Sequence, residues 1–268
     1  WPSEARLVRL VVEHTRVFAE GMSFGSVGPY ERLDGIAYFE IDPDDPLNAI
    51  LVNIEKAPRN SNGLVEFRAP FFILKPQDIT KGNQKLFYVI NNRGNKQALG
   101  YFNFSPSGPG INNPLTAADA GDGFLMRQGY TVVDAGWQGD VAAGNNRLFP
   151  TLPVATQPDG NPIVAPVRIE YSDRTIPTEG TFTLGLEGSP NFVSYGTADT
   201  DTTSATLTVR ETLDGPKTLI LPTKWAFGTY PTGADSLVPD ETNICLFDGF
   251  RAEAIYELIY LAKNPLVM

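Results

Sequence analysis

Residues 6–18 are apolar-rich and β-branched, with Leu7-Val8 and Leu10-Val11-Val12, and predict a strand. Gly21 to Pro29 reads as a turn region, and Leu33 to Ile41 alternates and predicts a second strand. Ile50–Ile54 and Val65–Lys75 are further strand candidates, separated by the turn signal Asn60-Ser61-Asn62-Gly63. The first 80 or so residues therefore predict an antiparallel meander. The pattern changes at Leu86–Ile90, a continuous apolar run of the kind buried on both faces of a parallel sheet. Asp119–Gln128 predicts a short helix stopped by Gly129, and Tyr130–Ala135 a second buried strand. Strand, helix and strand make a βαβ crossover.

From 139 to 236 the chain is rich in Pro, Thr and Gly. Alternating runs recur at Val164–Tyr171, Thr181–Leu186, Ala205–Arg210 and Lys217–Leu221, which predict a β-rich insertion. Phe250–Lys263 shows a helical period through Ile255, Leu258, Ile259 and Ala262, with Asp248 as N-cap and Asn264-Pro265 as the stop. The expected organisation is thus a strand and βαβ core over 1–138, an insertion over 139–236, and a helix returning to the core over 237–268.

The 268 residues, 42% hydrophobic, suffice for a sizeable core, and the 25 Gly and 22 Pro favour strands and loops over a helical bundle. A net charge of −10 argues against nucleic acid and anionic lipid as partners, and no apolar stretch is long enough for a membrane span. Cys245 is the sole cysteine and His14 the sole histidine, so neither a disulfide within the chain nor a Cys- or His-based metal centre is expected, and no cofactor is implied. The chain begins at Trp1 rather than Met. This favours a secreted or periplasmic location through removal of a signal peptide. Asn103-Phe104-Ser105 is a glycosylation sequon.

Gly21-Met22-Ser23-Phe24-Gly25 matches the G-x-S-x-G nucleophile elbow, but Gly28-Pro29 and a strand follow it where the elbow needs a helix. Ser23 is therefore read as a turn residue and His14 as a residue of a strand face. A Ser-His-acid triad cannot be assembled from this chain.

Several runs carry a resemblance. They are Met22-Ser23-Phe24-Gly25-Ser26-Val27-Gly28-Pro29-Tyr30-Glu31, Ala57-Pro58-Arg59-Asn60, Phe72-Ile73-Leu74-Lys75-Pro76, Asn91-Asn92-Arg93-Gly94-Asn95 and Gly129 through Asp140. In order and spacing they resemble the bacterial "alpha/beta hydrolase domain" family of large esterase-like proteins. The resemblance implies an α/β fold, in which N-terminal antiparallel strands lead into an incomplete α/β-hydrolase sheet with a β-rich insertion. It also implies carboxylic ester hydrolysis of a small-molecule substrate, with the nucleophile and histidine in a catalytic half beyond Met268 that is either a separate C-terminal segment or lost by truncation.

On that reading the loop Asn92, Arg93, Gly94 and Asn95 at the end of the Leu86–Ile90 strand supplies oxyanion donors, and Gly94 lets the backbone approach an oxyanion. Trp137, Gln138 and Asp140 line the substrate pocket. Asp134 is a hydrogen-bonded structural carboxylate, and Tyr101, Phe102 and Phe104 pack in a long loop. The rival readings are a non-catalytic β-rich protein that binds carbohydrate or peptide, and an inactive hydrolase fragment acting as a partner subunit.

Overall fold

The computed structural model describes residues 5–106, 112–172, 181–184, 192–229 and 236–267. The chain divides into two compact units, one ending at Pro153 and the other running from Val154 to Val267.

In the first unit, β1 (Arg6–Val17), β2 (Tyr30–Ile41), β3 (Val65–Pro76), β4 (Leu86–Val89) and β5 (Thr131–Ala135) form one sheet in the order β1-β2-β3-β5-β4. The antiparallel meander is present as β1, β2 and β3. β5 pairs antiparallel with β3 and parallel with β4. One face carries Tyr30, Phe72, Leu74 and Val132, which pack with Leu99, Leu125 and Met126. Leu99 lies in α1 (Ala98–Asn103), and Leu125 and Met126 lie in α2 (Phe124–Arg127).

The strands described in the second unit form two sheets that share one core. β10 (Trp225–Thr229), β11 (Val238–Leu246) and β7 (Thr181–Thr183) make the smaller sheet, in that order. The larger is β6 (Val164–Tyr171), β12 (Ile255–Lys263), β8 (Thr206–Arg210) and β9 (Thr218–Ile220). Trp225, Phe227 and Ile244 from the first meet Tyr171, Leu207, Leu258 and Tyr260 from the second. On the outer face of the larger sheet, Glu257 takes Lys217 Nζ at 2.6 Å and Arg168 Nε at 2.6 Å, and Glu170 takes Arg210 Nη2 at 2.6 Å.

The α/β class expected from the sequence does not hold. Strands account for 40% of the residues, the sheets are mostly antiparallel, and α1 and α2 are the α-helices among the described residues, which is not an α/β-hydrolase arrangement. The helix expected over Phe250–Lys263 is instead β12. Its Tyr256, Leu258, Tyr260 and Ala262 are buried at a period of two. Almost every position there is apolar, so helical and strand periods both fit, and the two Ile and two Tyr favour the strand. This segment belongs to the second unit. Ile50–Ile54 is turn rather than strand, and the helix over Asp119–Gln128 shrinks to α2.

β4 is not buried on both faces. It lies at the sheet edge, with Phe87 and Val89 turned to the core while Leu86 and Ile90 are 70% and 79% exposed. The opposite edge, β1, is protected by two register breaks, at Leu7/Arg9 and Val12/His14, and by Arg6, Arg9, Glu13 and Arg16. β4 has no charge, proline or bulge, and such an edge is prone to association. Ile90→Lys is therefore expected to lower concentration-dependent association of the folded chain, measured by light scattering. An unchanged scattering profile would remove β4 as its source.

Candidate functional site

The pairing register sets a row of residues across the first sheet. Asp34 on β2 lies opposite Phe72 on β3, Phe72 opposite Asp134 on β5, and Asp134 opposite Val89 on β4. Two cations flank the Phe72 ring, with the Arg32 guanidinium 5.1 Å and Lys96 Nζ 5.6 Å from its centroid. Arg32, Lys96 and Asp134 are all buried. Two acids and two bases are thereby gathered on the core face of the sheet, where charges persist only if paired or hydrogen-bonded.

Arg32 is the best satisfied. Its Nη2 donates to Asp34 Oδ1 at 2.8 Å, and its Nη1 donates to Asn113 Oδ1 at 2.7 Å and to the Pro114 carbonyl. Lys96 Nζ donates to the carbonyls of Asn112 at 2.8 Å and Asn146 at 2.6 Å. Burial, then the charge of Arg32, brings the Lys96 ammonium down to about 8 against the pull of Asp134 and Asp34. Burial pushes the Asp134 carboxyl up to about 6, opposed by the Asn91 hydrogen bond and the charge of Lys96. Asp134 Oδ1 accepts from Asn91 Nδ2 at 2.9 Å, while Oδ2 has no hydrogen-bond partner among the described residues.

Asn91 connects this layer to the surface. Its Nδ2 also donates to the Ala135 carbonyl, its Oδ1 accepts from Gly94 N at 3.0 Å, and its carbonyl accepts from Trp137 Nε1 at 2.8 Å. Trp137 is nevertheless 52% exposed, so its indole is a surface ring held in one orientation. Arg93 N donates to Gln138 Oε1 at 2.7 Å, and Arg93 Nη1 to Asp140 Oδ1 at 3.2 Å. Asn95 N donates to the Asn92 carbonyl, and Asn95 Oδ1 accepts from Asn112 Nδ2.

The residues singled out from the sequence therefore sit together. Asn92, Arg93, Gly94 and Asn95 meet Trp137, Gln138 and Asp140 at the carboxyl ends of the parallel pair β4–β5. The backbone N–H groups of Arg93, Gly94 and Asn95, however, already serve Gln138, Asn91 and Asn92. A group engaged in this way has no proton to direct at an oxyanion unless the loop rearranges. The close approach at Gly94 is to Leu148, whose N–H donates to the Gly94 carbonyl at 2.9 Å. The sequence reading missed Arg32, Asp34, Lys96 and Asn112. The available signal was charge at Arg32 and Asp34, which share parity with the core residue Tyr30 on β2.

Ser23 is exposed in a turn that leads to β2, and His14 is exposed on β1 opposite Asp34. Phe102 packs edge-on against Phe87 at 4.8 Å, whereas Tyr101 and Phe104 are exposed. The sequon asparagine, Asn103, is fully buried. Its Nδ2 donates to the Ala120 carbonyl and its Oδ1 accepts from Leu125 N, so a glycan on that nitrogen is incompatible with this packing. Among the described residues no cluster of His, Cys, Asp and Glu is placed to hold a metal ion, and no helix is long and apolar enough to cross a membrane. Compared with known protein families, with curated proteins and with solved structures, the chain gives no match.

Proposed function

We propose that this chain is a non-catalytic, β-rich carbohydrate-binding protein whose binding surface is the corner formed by Trp137 and the Asn91–Asn95 loop. The observation that carries the reading is an exposed indole fixed by the bond from its Nε1 to the Asn91 carbonyl. A pre-oriented aromatic face costs little further entropy on stacking against a sugar ring. Asn92, Gln138 and Asp140 beside it offer side-chain polar groups for hydroxyls. Cellotetraose and maltotetraose serve as neutral probes in isothermal titration calorimetry. Trp137→Ala is expected to weaken binding about tenfold, the scale of one lost aromatic contact. If neither sugar binds at millimolar concentration, or Trp137→Ala binds as the parent does, the reading fails.

A second reading is favoured by the position of the corner at the carboxyl ends of parallel strands, where ligands of parallel sheets collect. On this reading the corner shapes the substrate of an esterase-like serine hydrolase, with serine and histidine supplied by another polypeptide segment. Both readings expect the 268 residues alone to be inert toward p-nitrophenyl acetate and unlabelled by a fluorophosphonate probe. Labelling at Ser23 would overturn both.

A further inference from the structure

The buried charges and the exposed indole share one connector. Asp134 binds Asn91 through the side-chain amide, and Asn91 in turn holds Gly94 through Oδ1 and Trp137 through its carbonyl. When Asp134 is ionised, its bond from Asn91 is charge-assisted and roughly twice as strong as a neutral one. Protonation leaves a neutral acceptor at Oδ1 and places a proton on an acid whose Oδ2 has no acceptor beside it among the described residues.

We propose that the buried cluster is a proton-operated latch: ionised Asp134, acting through Asn91, holds the Asn91–Asn95 loop and Trp137 in place, and protonated Asp134 releases them. The consequence for ligand binding rests on the carbohydrate reading above, whereas the latch itself does not.

Lys96, which follows β4, acts on Asp134, and Arg32 and Asp34 of β2 act in turn on Lys96. Asp119, which follows α1, acts on Arg32, and Arg16 of β1 bonds Asp34 Oδ2 at 3.4 Å. Arg32 is held by Asp34 and by two neutral acceptors. Lys96 keeps donors for both of its carbonyls whether or not it is charged. Among the described residues Asp134 Oδ2 has no hydrogen-bond partner, and the raised value of about 6 places the titration of this carboxyl in the accessible range.

The test follows the Trp137 indole N–H by 15N NMR, assigned with Trp137→Phe, alongside the 13C carboxyl signal of Asp134, from pH 5 to 7.5 with no ligand present. The expected result is one shared midpoint in the parent and loss of the indole transition in Asp134→Asn. Should Asp134→Asn not fold, the midpoints in the parent decide alone. A pH-independent indole, an indole that titrates away from Asp134, or an unchanged transition in Asp134→Asn overturns the latch. No sugar is present, so a failure here leaves the carbohydrate reading standing, and a failure of the calorimetry leaves the latch standing.

Discussion

Gly94→Ala is expected to destabilise the first unit by about 3–5 kcal/mol, which places it among the exceptional single substitutions. Two costs combine. Gly94 has φ +72°, in the left-handed region, where a non-glycine residue costs about 1–2 kcal/mol. The added Cβ would also lie 2.3 Å from Leu148 O and 2.7 Å from Leu148 N. Both are backbone atoms, so no side chain can rotate away. Relief requires moving the chain at Leu148, which breaks the bond from Leu148 N to the Gly94 carbonyl. Gly63→Ala is the internal control, because φ there is +80° and nothing lies within 4 Å of the new Cβ. Its expected cost is only the conformational part, about 1 kcal/mol. Urea unfolding of both variants separates the two contributions. Equal losses at the two positions would show that contact with Leu148 does not matter, and would return Gly94 to the role of an ordinary loop glycine.

That contrast marks what could be read from the residues. The Gly/Asn composition of Asn91–Asn95 announces a tight loop, and Trp137, Gln138 and Asp140 lie beside it because the strands before both segments are parallel. The partner of Gly94 lies far along the chain at Leu148, and no local pattern points there. Short-range alternation likewise predicted β1, β2, β3, β6 and β8. It failed where apolar residues occupy nearly every position. Ile255–Lys263 satisfied a helical stripe and a strand alternation together. Leu86–Ile90 looked doubly buried, although its place at an edge is decided by which strands are available to flank it. The charge cluster was hidden for a different reason. Arg32, Lys96 and Asp134 come from three segments, and only the sheet register brings them around Phe72.

Asp134→Asn is expected to gain stability relative to the parent as the pH rises from about 4.5 to 7.5, by about 2 kcal/mol. The unfolded carboxyl has the ordinary value of 3.8, and the folded one lies at about 6. Between these values the folded state binds more proton than the unfolded state. The favourable contribution of Asp134 is therefore fully present below pH 3.8 and is lost as the pH rises through about 6. Lys96 has the opposite displacement, from 10.5 to about 8. Its contribution is present above 10.5 and is lost as the pH falls through about 8. Near pH 7 both groups are charged and both costs stand in full, so the cluster weakens the fold where its mutual attraction is greatest. Asparagine preserves the acceptor for Asn91 Nδ2 but puts an unpartnered amide where Oδ2 was, at a cost of about 1–3 kcal/mol. That cost does not vary with pH, so it offsets the difference curve between parent and variant without changing its slope. The variant also leaves Lys96 with Asp34 as its remaining acidic neighbour against Arg32, which lowers its ammonium further. Urea melts of parent and variant across this range measure the difference directly. A flat difference curve would mean that Asp134 titrates like an exposed carboxylate, and the quartet around Phe72 would then be a set of satisfied ion pairs with no proton-linked strain.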